Sequence, residues 1–250
     1  MERVAWVTGA GSGIGRAIAV RLARAGWRVA ASGRRPELLD AVAAEVDGIT
    51  PFALDVTDRN SADRVAAAIR SELGPIDLAL LNAGGSFMTT AENFSVENFR
   101  KTVDLNLMGT VNCMGAVVPA MVERHSGHIA IMGSQSAFNG LPNAAAYGAS
   151  KAALYSMAEA YKPEFERHGV VITIINPGFV RTPMTEGAPF PMPFLMDLDD
   201  AADIIMRGLA QQRFAINFPW QMALTTRLLA SLPYSAKFSI LRRMLPPERR

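Results

Sequence analysis

Apolar residues along this chain fall into two alternating rhythms. Short runs rich in Val, Ile, Leu and Ala predict strands at Val4–Thr8, Arg28–Ser32, Thr50–Leu54, Leu78–Leu81, His128–Met132, Val170–Ile175 and Phe214–Phe218. Between them apolar residues return every three or four positions, which predicts helices over Gly13–Ala25, Pro36–Val46, Ser61–Leu73, Val96–Arg124, Ala149–Arg167 and Asp199–Gln211. Strand and helix in alternation imply an α/β fold, with βα units wound around a parallel sheet.

Punctuation supports these boundaries. Thr57, Asp58 or Ser61 can accept the free N–H groups at one helix start and Ser95 those at the next, while Gly26, Gly74 and Gly169 supply the left-handed residue that ends three others. Pro163 has no N–H to bond Glu159, so a kink or an early helix end is expected there. The segment Thr182–Leu195 carries Pro183, Pro189, Pro191 and Pro193 without any period and is expected to be a long loop, of the kind that forms lids. No repeat or linker divides the 250 residues, so residues 1–250 are read as one domain, with 219–250 as its helical C-terminal extension.

Composition narrows the class. Half the residues are apolar and 19% charged, which excludes a disordered or collagenous chain. The longest apolar runs, around Ile129–Met132 and Val170–Ile172, fall far short of the roughly 18 residues of a membrane span. The start, Met-Glu-Arg-Val, runs directly into a strand pattern, so no targeting leader is expected and the location is taken as cytoplasmic. Cys113 is alone, and His125, His128 and His168 have no carboxylate cluster beside them, so neither a disulfide nor a metal site is expected. A net charge of +2 does not suggest nucleic acid, yet it is unevenly placed: from Gln221 onward six bases face Glu248 alone, a tail of +5 against −3 for the rest.

The first strand leads into Thr8-Gly9-Ala10-Gly11-Ser12-Gly13-Ile14-Gly15 and then a helix. Glycines there let the backbone turn tightly and approach a pyrophosphate, whose charge the helix N-terminus stabilises; a merely flexible turn is the plainer reading. The spacing Gly9, Gly13, Gly15 is GxxxGxG, and no phase gives the six-residue GxGxxG form. At the end of the second strand, where an acid would hold adenosine ribose hydroxyls, stands Gly33-Arg34-Arg35. A guanidinium grips a 2′-phosphate, which favours NADP(H) over NAD(H); the alternative is a pair of solvated arginines. Asp55 can accept from an adenine amino group or cap a helix, and Asn82-Ala83-Gly84 sets small residues against the ribose. Tyr147 and Lys151, four apart, share one helical face. Ser134 ends the fifth strand, at the carboxyl edge where α/β sheets bind ligands, and Asn106 is a polar break in an apolar helix, functional or simply locally bonded.

Together these residues resemble the short-chain dehydrogenase/reductase family over roughly residues 3 to 185. The likeness rests on Thr8-Gly-x-x-x-Gly13-x-Gly15, Asn82-Ala83-Gly84, Asn106, Ser134, Tyr147-x-x-x-Lys151 and Pro177-Gly178-x-x-x-Thr182 in the family's order and spacing. It implies a Rossmann-type doubly wound sheet of seven parallel strands with helices on both faces, and a dimer or tetramer. It also implies hydride exchange between NADP(H) and a carbonyl or secondary alcohol. By the resemblance Tyr147 is the general acid/base, Lys151 bonds the nicotinamide ribose, Ser134 holds the carbonyl oxygen and Asn106 places a water beside Lys151. The coenzyme would lie along Gly9, Ser12, Gly13, Ile14, Gly15, Arg34, Asp55, Asn82, Ala83, Gly84, Tyr147, Lys151, Pro177, Gly178, Val180 and Thr182. A free phenol titrates near pH 10, so a neutral-pH base needs a shift of about 3 units, or roughly 4 kcal/mol in favour of the phenolate. A 3-oxoacyl-carrier-protein reductase and a non-catalytic NADP(H)-binding regulator are the alternatives. The chain departs from the family at Phe218-Pro219-Trp220, where members often carry Asp-Gly-Gly.

Two apolar features bear on substrate and partners. Phe190, Met192, Phe194 and Met196 make the 184–195 loop either an apolar lid over an apolar substrate or a piece of core. In the tail, Tyr234, Phe238, Leu241 and Leu245 form one helical stripe, expected to pack on the domain or a second subunit, with weak contact to an anionic membrane through 220–245 as the alternative. Trp220–Leu232, apolar on several sides, is expected to be covered as well.

Overall fold

The computed structural model describes residues 2–187 and 191–245. Its strands are β1 Val4–Thr8, β2 Arg28–Gly33, β3 Ile49–Ala53, β4 Ile76–Leu81, β5 Gly127–Met132, β6 Val170–Pro177 and β7 Ala215–Phe218. They form one sheet in the order β3-β2-β1-β4-β5-β6-β7, parallel throughout. The expected doubly wound fold is present. The chain winds one way from β1 to β3 and then starts the other half at β4, so the carboxyl ends of β1 and β4 border the crevice where such sheets take ligands.

Helices cover both faces, which explains the continuous apolar runs of the central strands. All five residues of β1 are buried. On one face α1 (Gly13–Arg24), α2 (Pro36–Ala43) and α7 (Leu198–Ala210) contribute Ile18, Leu22, Leu39, Val42, Ile205 and Leu209 to a core with Val7, Val29 and Leu80. On the other, α3 (Arg59–Glu72), α5 (Gly109–Glu123) and α6 (Ala145–Arg167) bring Val65, Ile69, Val117, Met121, Leu154 and Phe165 against Trp6, Leu81 and Ile129. Removing a buried Leu or Ile side chain from either core would cost about 2–5 kcal/mol.

Caps largely follow expectation. Asp58 accepts from the Asn60 amide at the start of α3 and Ser95 from the Asn98 amide at the start of α4 (Val96–Val103), while Gly26, Gly74 and Gly169 all have positive φ. Apart from shifts of up to three residues at other ends, two helices differ. The helix expected over Val96–Arg124 is interrupted at Asp104–Met108 by a π-helical turn, which separates α4 from α5. Helix α6 begins four residues before the expected Ala149, and it neither breaks nor ends at Pro163 but runs to Arg167. Val96–Glu123 is also long and apolar enough to cross a membrane. Here, however, Cys113, Met114, Val117 and Met121 of that stretch are buried in the sheet-facing core, the position of an interior helix.

The extension forms α8 (Trp220–Ser231) and α9 (Tyr234–Arg242). The expectation that this tail is covered fails within the chain: of the stripe only Leu241 is buried, whereas Tyr234, Phe238 and Leu245 are exposed.

Candidate active site

The glycine loop is built by close approach. Gly9 and Gly13 have φ of +66° and +54°, and a Cβ on Gly15 would stand 2.2 Å from the Gly9 carbonyl oxygen. A side chain at either end of the turn is therefore excluded by sterics. Beneath it, the Thr8 hydroxyl accepts from the amides of Asn82 (3.0 Å) and Ala83 (3.1 Å), and the Asn82 carboxamide donates to the carbonyls of Thr8 (3.0 Å) and Gly9 (3.3 Å). Asn82 thereby locks the β4 end to the glycine turn. Helix α1 starts after Ser12 with no side-chain cap bond and no acid in its first turn, so Ile14, Gly15 and their neighbours leave an uncompensated positive helix end at the crevice. That arrangement fits a pyrophosphate.

The rim of the crevice is completed by residues far apart in sequence. The Ala10 amide donates to the Ser32 carbonyl at 3.0 Å, and Leu38 of α2 packs against Gly11, which brings the β2 end to the glycine loop. Arg34 and Arg35 follow directly, both exposed and neither in an ion pair among the described residues. On the other side a Cβ on Gly13 would lie 3.4 Å from Thr182 Cγ2, so the segment after β6 reaches over the loop. Val180 in that segment is buried and bridges Met196. Pro177 is buried at the end of β6. Gly178 gives its amide to Phe218 at 2.7 Å and is pressed on Met222 of α8, so it faces the extension. Asp55 spends Oδ1 on the Thr57 amide and hydroxyl, an Asx turn ahead of α3.

At the carboxyl edge of β5 the Ser134 hydroxyl lies close enough to the Tyr147 phenol to lower its pKa. Ser134 is held in turn by the Ser136 amide at 3.1 Å and hydroxyl at 2.9 Å. Lys151, one turn along α6, is buried, donates to the Met132 carbonyl at 2.7 Å, and lies 5.6 Å from the centre of the Tyr147 ring. Burial lowers its pKa to about 8. Burial pushes the Tyr147 phenol above its usual value, against the opposing effect of the neighbouring Ser134 hydroxyl. The protein alone therefore does not prepare a phenolate; nearby positive charge has to do so. Asn106, in the π turn, is fully buried: Oδ1 accepts from the Gly85 amide at 2.8 Å and Nδ2 donates to the Gly85 carbonyl at 2.9 Å and Ser150 Oγ at 3.0 Å. Its side chain thus ties the π turn to the 82–85 segment and to α6. A Cβ on Gly84 would meet both Asn106 Oδ1 (3.0 Å) and Lys151 Nζ (3.5 Å), so the 82–85 segment is fitted between them.

Sequence reasoning missed one group. Gln135, next to Ser134 and 1% exposed, donates to the Asn176 carbonyl at 3.0 Å and accepts from the Thr226 hydroxyl at 3.0 Å. Asn139 donates to the Thr226 carbonyl at 2.8 Å. Helix α8 is therefore fastened to the loop that carries Ser134. In sequence Thr226 stands between Thr225 and Arg227, and nothing there marks it as the buried member of α8. The loop residues Met184 and Phe194 are exposed and not core, while Phe190 lies outside the described residues.

Comparison with known proteins bears on the family of the chain. Residues 3–189 match the short chain dehydrogenase family. A Myxococcus xanthus protein named as an oxidoreductase is 41% identical over 235 residues, covering 92% of this chain and 93% of that protein. A Staphylococcus epidermidis oxidoreductase is 35% identical over 213 residues, 84% of this chain and 92% of its own. Among solved structures, a short-chain dehydrogenase from Streptomyces avermitilis superposes with a TM-score of 0.82 at 27% identity, covering 97% of both chains. The actinorhodin polyketide ketoreductase with NADPH gives 0.79 at 26% identity, over 87% of this chain and 95% of its own. Fold, glycine turn and family match agree, and the chain belongs to the short-chain dehydrogenase family of oxidoreductases.

Proposed function

We propose that the protein is an NADP(H)-dependent carbonyl reductase or alcohol dehydrogenase for apolar substrates, acting in the cytoplasm as a homodimer or homotetramer. The observation that carries this reading is the placement of Tyr147 against the buried ammonium of Lys151, with Ser134 next to the phenol, at the carboxyl edge of the sheet. NADP(H), when bound, supplies or accepts the hydride. Ser134 orients the carbonyl oxygen toward Tyr147, which delivers its phenolic proton there; in the reverse direction the phenolate takes the hydroxyl proton. Lys151 lowers the phenol's pKa by its charge and donates to ribose hydroxyls. Asn106 holds Gly85 and Ser150, and so keeps the 82–85 segment against Lys151.

Two features support the finer choices. Arg34 is exposed, uncommitted and one residue past the β2 end, where a 2′-phosphate would sit. Exposed Phe87 and Met88 on the β4–α4 connection and Met184 and Phe194 on the β6–α7 connection lie on loops at the carboxyl edge, which suits an apolar substrate. The test is an NADPH-absorbance screen over ketones of graded size and polarity, with a diketone and a 3-oxoacyl thioester included. Oxidation of NADPH by apolar ketones is expected. Tight NADPH binding without turnover of any carbonyl would instead make the protein a regulator.

A further inference from the structure

Helix α8 is fixed to the body through Thr226 and through Met222 under Gly178. Leu224 and Leu228, two residues either side of Thr226, consequently face roughly the opposite way. They are 50% and 57% exposed, Trp220 is 70%, and the stacked pair Tyr234 and Phe238 on α9 are 75% and 48%. Beside Trp220 and Leu224, a cleft of about 580 Å³ runs along β7 and is lined by Arg207, Arg213 and Arg227. From Ile204 to Leu245 the chain has six basic residues, Arg207, Arg213, Arg227, Lys237, Arg242 and Arg243, and no Asp or Glu. None of the six is in an ion pair among the described residues.

We propose that α8, α9 and the adjoining arginine cleft dock the protein peripherally on an anionic phospholipid bilayer. Exposed Trp, Leu, Tyr and Phe enter the boundary between headgroups and acyl chains, while the arginines and Lys237 meet lipid phosphates. Charge complementarity selects this occupant. A twofold pairing of this face with itself brings its cations together, while Asp199 and Asp203, carboxylates that precede it in sequence, are already paired with Arg21, and an acidic soluble partner leaves the apolar stripe without a matching phase. The inference stands apart from the catalytic reading, since it uses none of the residues assigned to chemistry.

The test is co-sedimentation of the whole protein with vesicles of phosphatidylcholine alone and of phosphatidylcholine with one third phosphatidylglycerol, at low and at screening salt. Partition into the anionic vesicles is expected to exceed that into neutral ones by about ten-fold or more, and to fall as salt screens the headgroups. Leu224→Ser with Leu228→Ser, and separately Arg242→Glu with Arg243→Glu, are each expected to lower partition at least about ten-fold with unchanged melting temperature. Equal partition into both vesicle types, no partition at low salt, or variants that bind as well as wild type would overturn the proposal. So would light scattering that shows Leu224→Ser with Leu228→Ser converting an oligomer into a smaller species, because a second copy then covers the face. If the leucine variant fails to fold, the exposed arginine pair and the salt titration decide.

Discussion

The ammonium of Lys151 stands 5.6 Å from the centre of the Tyr147 ring and is tied to the Met132 carbonyl at the end of β5. One helical turn thus places a permanent donor beside a phenol, while the strand end fixes where that donor points. At that distance over the ring face the ammonium lies within cation–π range of the phenol ring.

Replacing Tyr147 with Phe removes the proton donor and leaves the glycine loop intact. Turnover of any ketone found in the screen should fall by 10²- to 10⁴-fold, with the dissociation constant for NADPH changed by no more than a few-fold. Retention of more than about a tenth of the wild-type rate would reassign the acid.

Lys151 supplies a pH dependence of stability. Its pKa is about 8 in the folded protein against 10.5 normally, so the unfolded chain binds the proton more tightly. Below pH 8 the buried charge destabilises the coenzyme-free fold by roughly 3 kcal/mol, and this penalty fades as pH rises toward 10.5. Lys151→Met relieves it but leaves the Met132 carbonyl without its donor. The stability of wild type relative to Lys151→Met should therefore climb between pH 8 and 10.5 in urea titrations. A flat difference across that range would contradict the burial argument.

Coenzyme choice is tested at Arg34. Arg34→Asp should repel a 2′-phosphate and accept ribose hydroxyls, weakening NADPH and strengthening NADH. Losing the guanidinium contact alone should weaken NADPH by about ten-fold or more, because a charge-assisted bond contributes about 1.5–3 kcal/mol. Calorimetric dissociation constants for both coenzymes decide it, and tighter NADH than NADPH binding by the wild type would overturn the assignment.

The Thr226 to Gln135 bond predicts an effect at a distance. Thr226→Val keeps the shape of α8 but leaves Gln135 Oε1 buried without its partner, which costs about 1–3 kcal/mol of stability. Because Gln135 adjoins Ser134, kcat should fall while NADPH affinity holds. Unchanged unfolding in urea would mean that the bond contributes nothing.

The sheet was legible in the sequence because its central strands are buried on both faces and so read as unbroken apolar runs. The glycine turn and the Tyr147, Lys151 pair were legible because each is local. What escaped was either long-range or hidden from a 3.6-residue period. Gln135 and Thr226 are 91 positions apart, and no local pattern couples them. A π turn inserts a residue without changing composition, so the residue pattern alone showed Asn106 as a polar break in one continuous helix. The start of α6 was missed because Ala144, at its cap position, makes no side-chain cap bond and nothing around it resembles a helix signal. The tail differs for another reason: periodicity says that its stripe seeks cover but not what supplies it, and within the chain only Leu241 is buried.

The early start of α6 has an electrostatic consequence. Because the helix begins at Ala145, Tyr147 is its third residue, in a first turn that holds no acid and follows an uncapped start. The aligned peptide dipoles of 23 residues therefore present their positive end at the turn that carries the phenol. Such a field favours an anion by about 0.3–1 kcal/mol, a few tenths of a pH unit, whether or not anything is bound. Had the helix begun at Ala149, Tyr147 would have stood outside that field. The bare helix start is thus a standing bias toward the phenolate, and an acidic side chain placed at Ala144 or Ala145 would move the alkaline limb of the pH–rate profile upward.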